Sequence, residues 1–67
     1  MINNESELST TLERIRHLHN QLALLRTVET NPVNYRLSSS GFIAEIDRMQ
    51  LAVREYLSTP APVSRAG

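Results

Sequence analysis

Few side chains in this sequence could hold a proton, a metal or a nucleophile, and their spacing decides what they could do. His17 and His19 invite a metal reading, because imidazole is a common ligand. Two positions apart on a helix, they point about 200° away from each other and do not converge on one ion. Glu13 and His17 share a face at the i, i+4 spacing and would supply two ligands, leaving the third and fourth to another chain. The expectation is a solvated Glu13-His17 pair and no metal site.

Nucleophiles fare no better. Ser38, Ser39 and Ser40 offer hydroxyls, but no histidine and acid stand near them in sequence to activate one. A Gly-rich phosphate loop is absent. Glu45 and Asp47 make a close acidic pair, and at that separation on a helix they diverge into solvent. The chain contains no cysteine, which excludes disulfide frameworks, thiolate zinc sites and thiol catalysis together. No catalytic residue, metal ligand or cofactor-binding residue is therefore expected. Size agrees, since a chain of 67 residues buries only about 60% of its unfolded surface and has little core from which to build a dry, preorganised pocket. The sequence reads as non-enzymatic.

Charge and hydropathy restrict the partners. Seven basic residues, all arginine, balance seven acids, and the two signs are interspersed along both halves. No basic stripe emerges, so nucleic-acid binding by this chain alone is not expected. The opening Met1-Ile2-Asn3-Asn4-Glu5 lacks the basic and apolar blocks of a signal peptide. No apolar run approaches the roughly 18 residues of a membrane span. These features lead to the expectation of a soluble, cytoplasmic protein without a membrane partner.

The elements that must position these side chains are helices. Asn4 followed by Glu7 marks a helix start, with Glu5 and Glu7 in the first turn where the helix dipole favours acids. Leu8, Leu12, Ile15, Leu18, Leu22 and Leu25 recur at spacings of three and four, the signature of one apolar stripe on a helix from about 5 to 29. At Thr30-Asn31-Pro32 the pattern stops and restarts, because proline suits the first helical position after an Asn cap. From there Tyr35, Ser39, Phe42, Ile46, Met49, Val53 and Tyr56 form a second 4-3 stripe on a helix from about 32 to 58. Ser38-Ser39-Ser40-Gly41 is its weak point, yet the heptad phase survives across it, so a continuous helix is expected. Residues 59–67, rich in proline and small side chains, read as a disordered tail.

The fold class is thus all-α, an antiparallel two-helix hairpin turning at about 30–31. Folding the helices back on each other opposes positions whose numbers total about 60, an estimate that rests on equal helical rise. Leu18 then meets Phe42, Ile15 meets Ile46 and Leu8 meets Val53, while bulky Leu22 faces small Ser38 and Ser39.

Two helices shield only one side of each stripe, so the arc from Leu25 through Leu8 to Leu12 stays partly wet in a lone hairpin. A dimer that closes into a four-helix bundle is the simplest cover, with a tetramer as the larger form. The expected core and interface are Leu8, Leu12, Ile15, Leu18, Leu22, Leu25, Tyr35, Phe42, Ile46, Met49, Val53 and Tyr56. His19 and Arg26 project near the stripe, and as polar groups they need partners if buried. Tyr35, Gln50, Glu45 or a neighbouring chain's carboxylate could serve, setting register. At the stripe's margin they would instead remain solvated. Leu24, Val28, Val33, Leu37 and Leu51 project away from the stripe and together allow a second contact surface for a different protein.

Several short segments carry a family resemblance. Met1-Ile2-x-Asn4-Glu5 opens the first helix, Asn31-Pro32-x-x-Tyr35 opens the second, and Gly41-Phe42-x-x-Glu45-Ile46-x-Arg48-Met49 with Val53-Arg54-Glu55-Tyr56-Leu57 completes it. Over residues 1–57 this resembles the N-terminal helical hairpin of bacterial Xre-type helix-turn-helix regulators and antitoxins. Those proteins continue into a DNA-binding domain, whereas here a Pro-Ala segment follows. The resemblance therefore implies a hairpin used for dimerisation or partner contact, as in an adaptor or antitoxin-like component, and no DNA reading.

Overall fold

A computed structural model describes residues 1–61. It contains two helices, α1 (Glu5–Val28) and α2 (Pro32–Ser58), packed antiparallel as a hairpin. Among the described residues there is no strand. Residues 59–61 are non-helical and exposed, and the rest of the expected tail, 62–67, lies outside the described residues.

Each helix begins where a side chain can take up its free amides. Asn4 adopts extended backbone, and its side-chain oxygen accepts the Glu7 N–H at 2.8 Å. Glu7 reaches back to accept the Asn3 N–H at 2.7 Å, a capping box whose return arm lands one residue before the cap. Asn31 does the same for α2, its Oδ1 accepting from Val33 at 2.9 Å and Asn34 at 3.1 Å with Pro32 in the first turn.

The first helix stops at Val28, one residue earlier than the spacing suggests. Proline at 32 disfavours helical backbone at Asn31, and the turn is completed by Glu29. Its N–H donates to the Leu25 carbonyl at 2.9 Å, and its carboxylate accepts the Asn31 N–H at 3.1 Å. Helix α2 runs unbroken through Ser38–Gly41. Ser39 and Ser40 donate their hydroxyls to the Arg36 and Leu37 carbonyls, so their polar groups are satisfied within the helix.

The two helices meet along one seam. Ile15, Ile46 and Met49 are buried together, with Leu18, Leu22 and Val53 packed against them. Leu8 is buried too, as is Ser39, the small residue expected opposite Leu22. Residue numbers total 61 both for the Ile15 and Ile46 pair in this cluster and for the hydrogen-bonded Glu5 and Tyr56, one away from the expected offset. The register therefore holds from the centre of the hairpin to its open end.

One element of the core stands outside the helical periodicity. Ile2, before the Asn4 cap, is 8% exposed and lines grooves with Met49 and Ala52 of α2. The N-terminal segment thus lies along one side of the seam and closes it, much as a hydrophobic staple fixes the entry of a chain into its helix.

Candidate functional site

The expected core residues fall into three groups. Leu8, Ile15, Ile46 and Met49 are buried. Leu18, Leu22, Leu25, Tyr35, Phe42, Val53 and Tyr56 are half-buried. Leu12 retains 46% of its accessible surface and lies outside the seam of the single hairpin. The reason is angular. Leu12 follows the seam residue Leu8 by four positions and lies beyond the arc that a single neighbouring helix can cover.

His19 and Arg26 share that margin, four positions after Ile15 and Leu22. Both are exposed, and neither forms a side-chain hydrogen bond or ion pair among the described residues. The Tyr35, Gln50 and Glu45 partners considered for them are not engaged. Glu45 is instead paired with Arg48, the i+3 residue on its own helix, and that hydrogen bond holds its carboxyl below the usual range, with the Arg14 charge adding to it. Glu13 likewise pairs with Arg16 at 3.1 Å and not with His17. The long guanidinium side chain reaches a carboxylate one turn away, and Arg16 Nη2 donates to both Glu13 oxygens, at 3.1 and 3.2 Å. Among the described residues no three His, Cys, Asp or Glu side chains are grouped to hold a metal ion.

The hairpin leaves large apolar side chains exposed, and its two flanks differ. On α1 the residues four after the seam include Leu12, His19 and Arg26, and on α2 they include Ile43, Gln50 and Leu57. Two right-handed helices packed antiparallel turn these rows to the same side of the hairpin. That side carries Leu12, Ile43 and Leu57 at 46%, 45% and 62% exposure.

The other flank holds the residues immediately before the seam positions. Thr10, Thr11 and Arg14 of α1 line a groove there with Glu45, Arg48 and Ala52 of α2. Ile2 roofs that groove, and the carboxylate and two guanidiniums give it a charged floor. Near the open end, a wider groove of about 950 Å³ runs between the N-terminal segment and the end of α2, with Ile2, Ala52 and Tyr56 in its wall. It gathers no converging set of acid, base and nucleophile.

A third apolar group encircles the turn. Leu24, Val28, Val33 and Leu37 are each 63% exposed or more and point away from the seam, as expected from their spacing. Leu51, on the outer face of α2, is half exposed. No described side chain is fully buried, the lowest apolar value being 5% at Ile46. A Cα cross-section of 15 × 12 Å explains this, because one helix pair has no third layer to enclose its seam.

Among the described residues no helix is long and apolar enough to cross a membrane. Comparison with protein-family models, characterised proteins and solved structures finds no match. The likeness to the Xre-type hairpin accordingly rests on the quoted residues alone.

Proposed function

We propose that this hairpin is a non-enzymatic interaction module that self-associates, in its simplest form as a dimer closing into a four-helix bundle. The observation that carries the reading is the unfinished seam: among the described residues no side chain is fully buried, and Leu12, Ile43 and Leu57 border the seam with about half their surface or more in water. Burial of apolar surface stabilises by roughly 25 cal/mol per Å², so covering that border favours association. A globular helix normally uses two seam positions and one flank of each heptad as its apolar face, which matches the residues that a second hairpin would cover. The resemblance to regulator hairpins that serve dimerisation or partner contact points the same way.

Light scattering over a concentration series, with far-ultraviolet circular dichroism on the same samples, tests the reading. The expected result is a helical species of at least twice the 7.6 kDa chain mass that persists on dilution. A weakly helical monomer would refute it.

A second reading, an adaptor or antitoxin-like component, is favoured by the apolar group around the turn, which a second hairpin on the flank would leave uncovered. Its expected sign is a heterologous protein retained by tagged bait and released by Leu24→Glu with Leu51→Glu, at unchanged helicity. Retention that survives both substitutions would count against it.

A further inference from the structure

We infer that a second copy of this chain docks on the Leu12, Ile43 and Leu57 flank, about a twofold axis perpendicular to the helices that sets α1 against α1 and α2 against α2 of its mate. This rests on the reading that the chain self-associates, and it adds the face and the orientation.

The face follows from the difference between the flanks. On one, Ile2 already occupies the apolar surface, and Arg14, Glu45 and Arg48 would have to be stripped of water by anything docking there. The other presents Leu12 and Ile43, neither of which lines a groove with the N-terminal segment, and Leu57, which lies at the edge of the open-end groove that this segment also lines. Its size is adequate. The 27 residues of α2 span about 40 Å, and two helices are about 20 Å wide, so the face offers on the order of 800 Å² per partner, the amount a standard stable interface buries.

The orientation follows from charge. Along the flank, α1 reads Glu5, Leu12, His19 and Arg26, each seven residues after the last. Laid antiparallel on its own copy, this row places Glu5 against Arg26 of the second copy and Leu12 against His19, and the twofold repeats both contacts. Acid meets base at each end, and Glu5 keeps Oε1 free because Tyr56 uses Oε2. The alternative, with the axis along the helices, lays α1 on α2 of the mate and sets Arg26 against Arg36. That arrangement gains Arg16 against Asp47 only at the outer rim, where Arg16 already holds Glu13 at 3.1 Å and exposed pairs contribute little. The first arrangement replaces the Arg26–Arg36 contact nearer the interface with Glu5–Arg26, and its own like-charge contacts, Arg16 with Arg16 and Asp47 with Asp47 at the axis, fall at the outer rim where exposed pairs contribute little.

The absence of cysteine makes the test direct. Arg16 and Asp47 are both exposed in the hairpin, and in the inferred dimer each lies beside its own copy at the twofold axis. Arg16→Cys alone, treated with a short bismaleimide, is expected to give a covalent dimer, and so is Asp47→Cys alone. Crosslinking only when the two variants are mixed would overturn the orientation. For the face, Leu12→Glu with Ile43→Glu is expected to halve the mass in light scattering while helicity persists, since both side chains are half exposed before association. Leu24→Glu, on the outer face, is expected to leave the mass unchanged. A wild-type dimer that ignores the Leu12 and Ile43 changes would overturn the face and leave self-association standing, whereas a wild-type monomer at every concentration would overturn both.

Discussion

The Tyr56 hydroxyl donates to Glu5 Oε2 at 2.9 Å, across 51 residues of chain, and it ties the open end of the hairpin together. Glu5 sits in the first turn of α1, held by the Asn4 cap, and Tyr56 sits in the last turn of α2. Their bond extends to the open end the register set by Ile15 and Ile46 at the centre.

This bond predicts a pH dependence. It holds the Tyr56 phenol above its ordinary value of 10.0, with burial and the Glu5 charge acting in the same direction. The folded state thus favours the protonated phenol. Its contribution to stability is fully present below about pH 10 and is lost as pH rises through the higher folded value. Tyrosinate absorbance of a Tyr35→Phe variant, which leaves Tyr56 as the single tyrosine, should titrate above the value of the unfolded chain. Titration at or below that value would contradict the bond. Glu5→Gln should lower the midpoint.

Among the described residues Ile46 is the most buried apolar side chain, and Ile15 packs on it. Replacing either by aspartate places an unpaired charge in the seam, at a cost of about 3–5 kcal/mol. A small domain has little more than that to lose. Ile46→Asp and Ile15→Asp should each abolish the helical circular dichroism signal near neutral pH, and retained helicity in both would show that the seam is not the core.

Gly41 tests the weak stretch of α2. It lies in the helix interior, and a Cβ added there meets nothing within 4 Å. Gly41→Ala should therefore stabilise the hairpin by about 0.5–1 kcal/mol through the backbone entropy of the unfolded chain. In a domain of this size each kcal/mol raises Tm by about 4–8 °C. A fall in Tm would mean that the helix is not continuous at this point.

Ile2 offers a local test of the closed flank. Ile2→Ser removes an apolar side chain that is 8% exposed, while Met1→Ser alters one that is fully exposed. The first should cost about 1–2 kcal/mol in denaturant unfolding and the second almost nothing. Equal effects would show that the N-terminal segment does not pack on α2.

Much of this architecture is legible in the chain, for a physical reason. Both caps, the proline that opens α2 and the 4-3 spacing of the stripes act over one or two helical turns, so residue order alone determines where each helix starts, where it ends to within a residue and which face is apolar. The pairing register follows as well, because equal rise in both helices leaves one free offset, and the small Ser39 beneath Leu22 selects it.

The tertiary structure decided what lies at the edges of the seam. Ile2 precedes the first cap and belongs to no period, so its burial depends on where α2 returns in space. Leu12 carries the same periodic signal as Leu8 and Ile15, but one neighbouring helix covers a limited arc and leaves it outside. Glu13 and Glu45 had candidate partners at several spacings, and side-chain reach gave each to an arginine three residues on. The inequality of the two flanks arises in the same way: periodicity marks an apolar face, and only three-dimensional packing determines which side of it is already occupied.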